Sequence, residues 1–223
     1  MNELTLLIPA KNEAESLPIV LDELKKYNYK IDIILHITDL DTIQAIREYD
    51  VNIIYQENLG YGDALIQGIK QCETKYFCIF NADGSFNPSE INQMFKTLQS
   101  KKLDFIFASR YGANSGSDDD TVLTLVGNYI FTYIGKIFFK LNITDILYTF
   151  VIGKTEQAKK LNLDQKDFSF CVELPIKAKK MKMELGHVNS YERKRIAGKK
   201  KVNAFKDGFL ILKHMIRLFF MKL

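Results

Sequence analysis

Apolar residues in the first half of the chain come in short runs. Residues 4–8 form one such run, which stops at Pro9, a residue that cannot donate to a strand ladder. Similar runs recur at 31–37, 51–55, 76–80 and 105–108 and predict buried strands. Between them the apolar positions take helical spacing. Leu17, Leu21 and Leu24 follow Asn12 and Glu15, a pair that predicts a helix capped at Asn12. Further helices are predicted at 42–49, at 64–71 after a turn at Gly60 and Gly62, and at 88–98. Strands alternating with helices predict an α/β domain whose mostly parallel central sheet is flanked by helices. In such sheets the ligand lies at the carboxyl ends of the strands.

The second half reads differently. Residues 112–120 are a small, acidic loop. Residues 121–141 are strongly apolar but interrupted by Asn128 and Lys136, which predicts an amphipathic helix against core or membrane rather than a span. A strand is expected at 147–152, a helix at 168–181, a strand at 186–189 and a basic loop at 193–201. Residues 204–221 predict a closing helix with Phe209, Leu212, Ile216, Phe219 and Phe220 beside Lys206, Lys213, Arg217 and Lys222. That pattern fits an interfacial helix and equally a helix docked on the domain. The expected division is a main domain over 1–203 and an amphipathic helix over 204–223.

Composition sharpens this. With 223 residues the chain can bury a core without disulfides or a structural metal. Its three cysteines, Cys72, Cys78 and Cys171, include no C-x-x-C pair and read as reduced core residues, which points to the cytoplasm. Neither a long uncharged apolar run nor a basic-then-apolar leader is evident. The net charge of +4 hides an asymmetry: residues 177–223 hold 14 Lys/Arg against 3 Asp/Glu, so the rest is acidic. A basic tail suggests an anionic partner, whether phosphate, nucleic acid or a membrane surface.

Three segments carry candidate chemistry. Asn81-Ala82-Asp83-Gly84-Ser85 follows a predicted strand, and oxygen ligands one residue apart on such a turn can face a divalent ion. By itself the pentapeptide fits a plain strand-to-helix turn as well. Asn58 to Gly68 places Gly60 and Gly62 before a helix, where backbone can approach a phosphate, although the G-x-G-x-x-G dinucleotide pattern is not met. Residues 8–13, Ile-Pro-Ala-Lys-Asn-Glu, form a loop after the first strand that could hold a nucleoside or simply turn.

In this order the segments resemble the family 2 glycosyltransferases, most of all the dolichol-phosphate mannose synthase and polyprenyl-phosphate glycosyltransferase branch. Residues 8–13 resemble its I-P-x-x-N-E, Asp39 and Asp41 its D-D-x-S-x-D, and Asn58 to Gly68 its N-x-G-x-G-x-A-x-x-x-G. Residues 81–83 are similar to D-A-D, Ser109-Arg110-Tyr111 to S-R-Y, Asp145 with Phe150 to D-x-x-x-G-F, and Arg195 to Lys201 to R-x-x-G-x-S-K. The resemblance implies a glycosyltransferase A fold, Rossmann-like, with a C-terminal amphipathic helix. It implies a nucleotide-sugar site at Pro9, Ala10, Glu13, Asp39, Asp41, Gly60, Gly62 and Ala82, and Mg²⁺ or Mn²⁺ at Asn81, Asp83 and Ser85. Arg195, Lys200 and Lys201 would grip phosphate or acceptor, and Asp83, Asp145 and Arg110 would serve catalysis. The sequence departs from the pattern at Asn81 for Asp, Ser85 for Gln, Thr149 for Gly and Lys200 for Ser.

The implied reaction is inverting transfer of a sugar from a UDP- or GDP-linked donor to an acceptor, foremost a polyprenyl phosphate. A phosphate monoester, with a second pKa of about 6, needs no base. A glycan hydroxyl would need one, for which Asp145 is the candidate, while His36, His187 and His214 read as structural. The expected setting is cytoplasmic, peripheral at the cytoplasmic face of a membrane, with no nucleic-acid partner. A sugar nucleotidyltransferase and a degenerate nucleotide- or membrane-binding module are the alternatives. The lack of glycine in residues 9–13 counts against the nucleotidyltransferase.

Overall fold

The computed structural model describes residues 3–198 and 203–222. Its centre is a seven-stranded sheet. In chain order the strands are β1 (Leu4–Pro9), β2 (Lys30–Leu35), β3 (Asn52–Tyr55), β4 (Tyr76–Ile79), β5 (Phe105–Ser109), β7 (Val151–Lys154) and β8 (Leu185–Asn189). They lie in the order β3-β2-β1-β4-β7-β5-β8. All neighbours are parallel except β7, which runs antiparallel between β4 and β5. Two short strands, β6 (Gly116–Ser117) and β9 (Tyr191–Glu192), pair apart from this sheet.

Both faces of the sheet are covered, and the central strands β1, β4 and β5 are buried along almost their whole length and largely apolar. Successive side chains go to opposite faces. Leu6 and Ile8 of β1 and Cys78 of β4 join one core with Leu17 and Leu21 of α1 (Leu17–Leu24) and Met94 of α4 (Ser89–Ser100). Leu7, Phe77 and Ile79 join the other, with Leu65 of α3 (Tyr61–Gln71), Phe139 of α5 (Val122–Phe139), Val172 of α7 (Phe170–Lys180) and Ile211, Met215 and Leu218 of α8 (Ala204–Phe220). All three cysteines are free and buried.

The element order follows the sequence expectation, with differences that have local causes. The first helix begins at Leu17 rather than Asn12. Asn12 adopts a left-handed φ of 52°, and its N–H donates to the Asp39 carboxylate at 2.7 Å. That contact ties the segment after β1 to the end of β2, and Pro18 opens the helix one turn later. Asp39 itself caps the short α2 (Leu40–Ala45). The expected strand at 147–152 is shifted to β7, and α6 (Thr155–Lys160) follows it directly. Within the expected 121–141 stretch the helix α5 runs Val122–Phe139, and its capping box joins Thr121 and Thr124. By length and composition α5 is long and apolar enough to cross a membrane; Asn128, Gly135 and Phe139 are its buried residues.

The strand order places a winding reversal between β1 and β4: the chain first progresses outward through β2 and β3, then returns to the other side of β1. Side by side at that switch point, the loops leaving β1 and β4 diverge and open a crevice.

Candidate active site

The crevice is a cleft of about 410 Å³ at the carboxyl ends of the strands. Its floor is made by the loop after β1, with Pro9, Ala10 and Glu13, and by the loop after β4, with Asn81, Ala82 and Asp83. Asp39 lines it from the cap of α2, Gly60 from the start of α3, Arg110 from the end of β5 and Arg195 from the segment after β9. Residues 130 and more positions apart in sequence therefore share one cavity because their strands end at one edge.

Each loop is held in shape by local bonds. Glu13 donates its N–H to Thr42 Oγ1 at 2.9 Å and accepts from the Ser16 hydroxyl at 2.6 Å. In the β4 loop, Asp83 Oδ1 accepts from the Ser85 N–H at 3.0 Å, which leaves Oδ2 toward the cleft side, 3.7 Å from Arg195 Nη1. Gly84 has a φ of +79°, and a Cβ there would meet Ile196 Cδ1 at 2.4 Å. The 193–198 segment lies directly on this turn: Ile196 N–H donates to the Asp83 carbonyl and Arg193 N–H to that of Ser85, each at 2.8 Å.

Arg195 spans two carboxylates. Nε and Nη2 reach Asp119 at 3.1 and 2.8 Å, with Asp83 beyond. The hydrogen bond to Asp119 raises its pKa above the usual arginine value, against the cost of burial, and Asp83 adds to that. Arg110 is more enclosed. Asp145 takes its Nε and Nη2 at 2.8 and 3.1 Å, while Nη1 meets Glu192 at 3.0 Å and Asp120 at 3.4 Å. Burial opposes its charge, but Asp145, Glu192 and Asp120 together hold it well above its ordinary pKa. The guanidinium also sits 4.6 Å over the Tyr148 ring.

Several expected site residues stand elsewhere. Asp145 is 1% exposed and lines no part of the cleft; its oxygens are taken by Arg110 and by Asn128 Nδ2 at 2.5 Å. Expected as a candidate base, Asp145 is placed off the cleft with both oxygens accepting from Arg110 and Asn128. Ser85 is buried behind its turn, with its hydroxyl 3.4 Å from the Asn81 amide nitrogen, and does not line the cleft. Asp41 lines a smaller recess with Glu15 and Gly198 instead. Gly62 serves chain packing: a Cβ there would lie 2.1 Å from the Gln165 carbonyl oxygen. Lys200 and Lys201 lie outside the described residues.

Other cleft residues were not read as part of a site from the sequence. Glu192 is a carboxylate in the cleft whose pKa is raised by burial, with Arg110 and Ser117 opposing. Tyr61 stacks on Phe168 at 5.1 Å and its hydroxyl meets Thr149 at 2.6 Å, which closes an apolar end of the cleft. Cys171 lies at that end, and burial pushes its thiol up to about 12, so it stays protonated. His36 lines the cleft just past β2, in contrast to the expectation of a purely structural strand residue.

Mg²⁺ and Mn²⁺ take hard oxygen donors and often draw only one or two from protein. Asn81 and Asp83, two oxygen-bearing side chains on one turn, fit such an ion if a diphosphate supplies the rest. Among the described residues no group of three His, Cys, Asp or Glu could hold a metal alone.

A nucleotide-type crevice of this kind on a largely parallel sheet flanked by helices is the glycosyltransferase A fold. The chain belongs to glycosyl transferase family 2, whose sequence profile matches residues 5–161. An uncharacterized protein of Methanocaldococcus jannaschii is 26% identical over 194 residues, covering 84% of this chain and 80% of the relative. The UDP-N-acetylglucosamine–dolichyl-phosphate N-acetylglucosaminyltransferase of Methanococcus voltae is 24% identical over 207 residues, covering 82% of each chain. Among solved structures, glucosyl-3-phosphoglycerate synthase from Mycobacterium tuberculosis, in complex with Mn²⁺, UDP and phosphoglyceric acid, superposes with a TM-score of 0.78 at 12% identity. That match covers 99% of this chain and 79% of the other. The same enzyme has been crystallised with Mg²⁺ and UDP.

Proposed function

We propose that this protein transfers a sugar from a nucleoside-diphosphate sugar to a polyprenyl phosphate, with inversion at the anomeric carbon, at the cytoplasmic face of a membrane. The observation that carries the reading is the meeting of three groups in one cleft: the nucleoside-type loop of Pro9 to Glu13 with Asp39, the Asn81–Asp83 turn, and the two arginines Arg110 and Arg195. The Methanococcus voltae relative, named for a dolichyl-phosphate acceptor, supports the choice of a lipid phosphate. So does the aromatic end of the cleft at Tyr61 and Phe168.

In this reading Pro9, Ala10, Glu13 and Asp39 hold the nucleoside, and Asn81 and Asp83 hold Mg²⁺ or Mn²⁺ with the diphosphate. The ion would supply charge neutralisation of the leaving diphosphate. Arg195 adds a bidentate-capable cation beside that diphosphate, and Arg110 orients the acceptor phosphate. An acceptor phosphate oxygen forms the new bond to the anomeric carbon, while the bond from that carbon to the diphosphate breaks and its electron pair leaves with the nucleotide. No proton is removed, because the acceptor is already ionised. The absence of a disengaged Asp145 therefore costs the reaction nothing.

One observation favours transfer to a hydroxyl instead: Glu192, in the cleft with a raised pKa, has the character of a general base. A panel of UDP- and GDP-sugars offered with a polyprenyl phosphate and with glycans, with products identified by mass spectrometry, separates the two. A glycosyl-1-phospho-lipid is expected. Products only on glycan hydroxyls, lost in Glu192→Gln, would overturn the lipid-phosphate reading.

A further inference from the structure

Glu173 and Lys177, one turn apart on α7, form an enclosed ion pair at 2.6 Å, their side chains 0% and 3% exposed. Neither lines the cleft, and the proposed transfer makes no use of them. We infer that Glu173, seated by Lys177, is a positioning residue for the nucleotide sugar: it holds the 164–168 segment in the shape that sets the Gly60–Gly62 turn and the aromatic end of the cleft. The inference deepens the reading of the cleft as a nucleotide-sugar site and rests on it.

Stability alone gives no reason for such a pair. Charges taken out of water lose hydration that their attraction recovers only in part, and apolar residues of similar volume in their place are often neutral or stabilising. Val172, Leu174, Pro175 and Ile176 beside them on α7 are buried and apolar, so an apolar pair would suit the surroundings. What it could not supply is hydrogen bonds. Glu173 Oε1 accepts the Asp164 N–H at 3.0 Å, and Oε2 accepts the Gln165 N–H at 2.9 Å. Lys177 Nζ donates to the Asn162 carbonyl at 2.7 Å. Residues 162–166 have no regular structure of their own, so these bonds to one helix fix the path of their backbone.

That segment backs directly on the glycine turn. Its carbonyls fill the space where side chains at Gly60 and Gly62 would stand: a Cβ on Gly60 would lie 2.1 Å from the Lys166 oxygen, and one on Gly62 2.1 Å from that of Gln165. The Asp63 N–H donates to the Lys166 carbonyl at 3.1 Å. From the other side Gln56 Nε2 donates to the Asn58 and Gly60 carbonyls. The turn is therefore clamped between two sets of bonds, and one set is anchored through the 164–168 segment on Glu173. Phe168, at the end of the segment, stacks on Tyr61, and Gly60, Tyr61 and Phe168 all line the cleft. Backbone packed on backbone has no side-chain tip to absorb a shift, so a displaced segment displaces the cleft wall. Binding groups need placement within about 0.5 Å of their working geometry.

The test replaces the pair by uncharged residues of like volume. Glu173→Leu with Lys177→Met removes both charges and the acceptor oxygens. Glu173→Gln with Lys177→Met removes both charges and keeps an oxygen for the backbone N–H groups. Both double variants should unfold in urea at or above the wild-type midpoint, since neither strands a charge. Affinity for UDP and for GDP, each with Mn²⁺, is measured by titration calorimetry on the full chain. It should fall by about tenfold or more with Glu173→Leu and by less than about threefold with Glu173→Gln. KM for the nucleotide sugar should rise in step while kcat changes little, because the pair touches no reacting group. Nucleotide affinity equal to wild type in both variants overturns the inference. A Glu173→Leu variant that does not fold, or affinity lost only in proportion to stability, assigns the pair to the fold alone and also overturns it. A wild-type protein that binds neither nucleotide sinks the nucleotide-sugar reading itself, an outcome distinct from equal binding by the variants.

Discussion

The Asp145 carboxylate receives two nitrogens of the Arg110 guanidinium, Nε at 2.8 Å and Nη2 at 3.1 Å, and the Arg110 backbone N–H at 3.2 Å. Both side chains are withdrawn from solvent, Arg110 at 9% and Asp145 at 0%. The pair fixes the arginine's plane, so that Nη1 faces Glu192 and the cleft. Thirty-five residues separate the two in sequence.

Removing one member of a buried pair strands the other charge, at a typical cost of about 3–5 kcal/mol. Asp145→Ala is therefore expected to lower unfolding free energy by that order in urea titrations. Asp145→Asn, which keeps an oxygen for Nε, should lose less. An Asp145→Ala protein as stable as wild type would mean that Glu192 and Asp120 alone hold Arg110.

The Asp83 carboxylate accepts one turn hydrogen bond, from the Ser85 N–H, and its other oxygen lies 3.7 Å from Arg195 Nη1 at the cleft. Asp83→Ala should cost only about 1 kcal/mol of stability. Loss of a main electrostatic stabiliser of the leaving group should cut turnover by about 10²–10³. The rise in melting temperature produced by UDP with Mn²⁺ should vanish as well. Turnover like that of wild type would remove Asp83 from the chemistry.

Gly62 backs onto the 165–167 backbone, with a Cβ position 2.1 Å from the Gln165 carbonyl oxygen and 2.6 Å from that of Asp167. Backbone cannot yield as a side-chain tip would. Gly62→Ala should destabilise by about 1–3 kcal/mol, the range for overpacking. Because the same segment carries Phe168 against Tyr61, the affinity for substrate should fall with it. Thermal unfolding and UDP titration check both.

His214 of α8 is buried, and its Nε2 has no hydrogen-bond partner among the described residues. Burial lowers its pKa from 6.5 to about 4, with Asp164 opposing and Arg217 and Lys177 reinforcing. Its neutral form is thus favoured by folding. That contribution is complete above pH 6.5, and is lost as pH falls from there through about 4. His214→Leu should flatten stability against pH in that window relative to wild type, as read by denaturant titrations at successive pH values. An unchanged slope would show that His214 does not titrate with unfolding.

Much of the site was legible because short motifs report their own backbone needs. The residues 8–13 loop and the Asn81–Asp83 turn each follow a strand whose apolar run is plain, and the α/β alternation puts both at one sheet edge. The face of the C-terminal helix that its periodicity marked as apolar is the face left uncovered, since Ile211, Met215 and Leu218 form the side that packs. The partners of Asp145 were not legible, because a motif states which residue is present and says nothing of what fills its lone pairs.

Local sequence, then, determined the strands, most helices and the two cleft-floor loops, since period, capping and turn chemistry act over a few residues. Only the tertiary structure decided the rest. Glu173, buried in α7, accepts the backbone N–H groups of Asp164 and Gln165 and pairs with Lys177 at 2.6 Å. That contact sets the 165–168 segment against Gly60, Gly62 and Tyr61 and so shapes the apolar end of the cleft. Glu192 reaches Arg110 across 82 positions through β9. Such placements depend on which strand ends lie side by side, a property of the sheet order that no local pattern encodes.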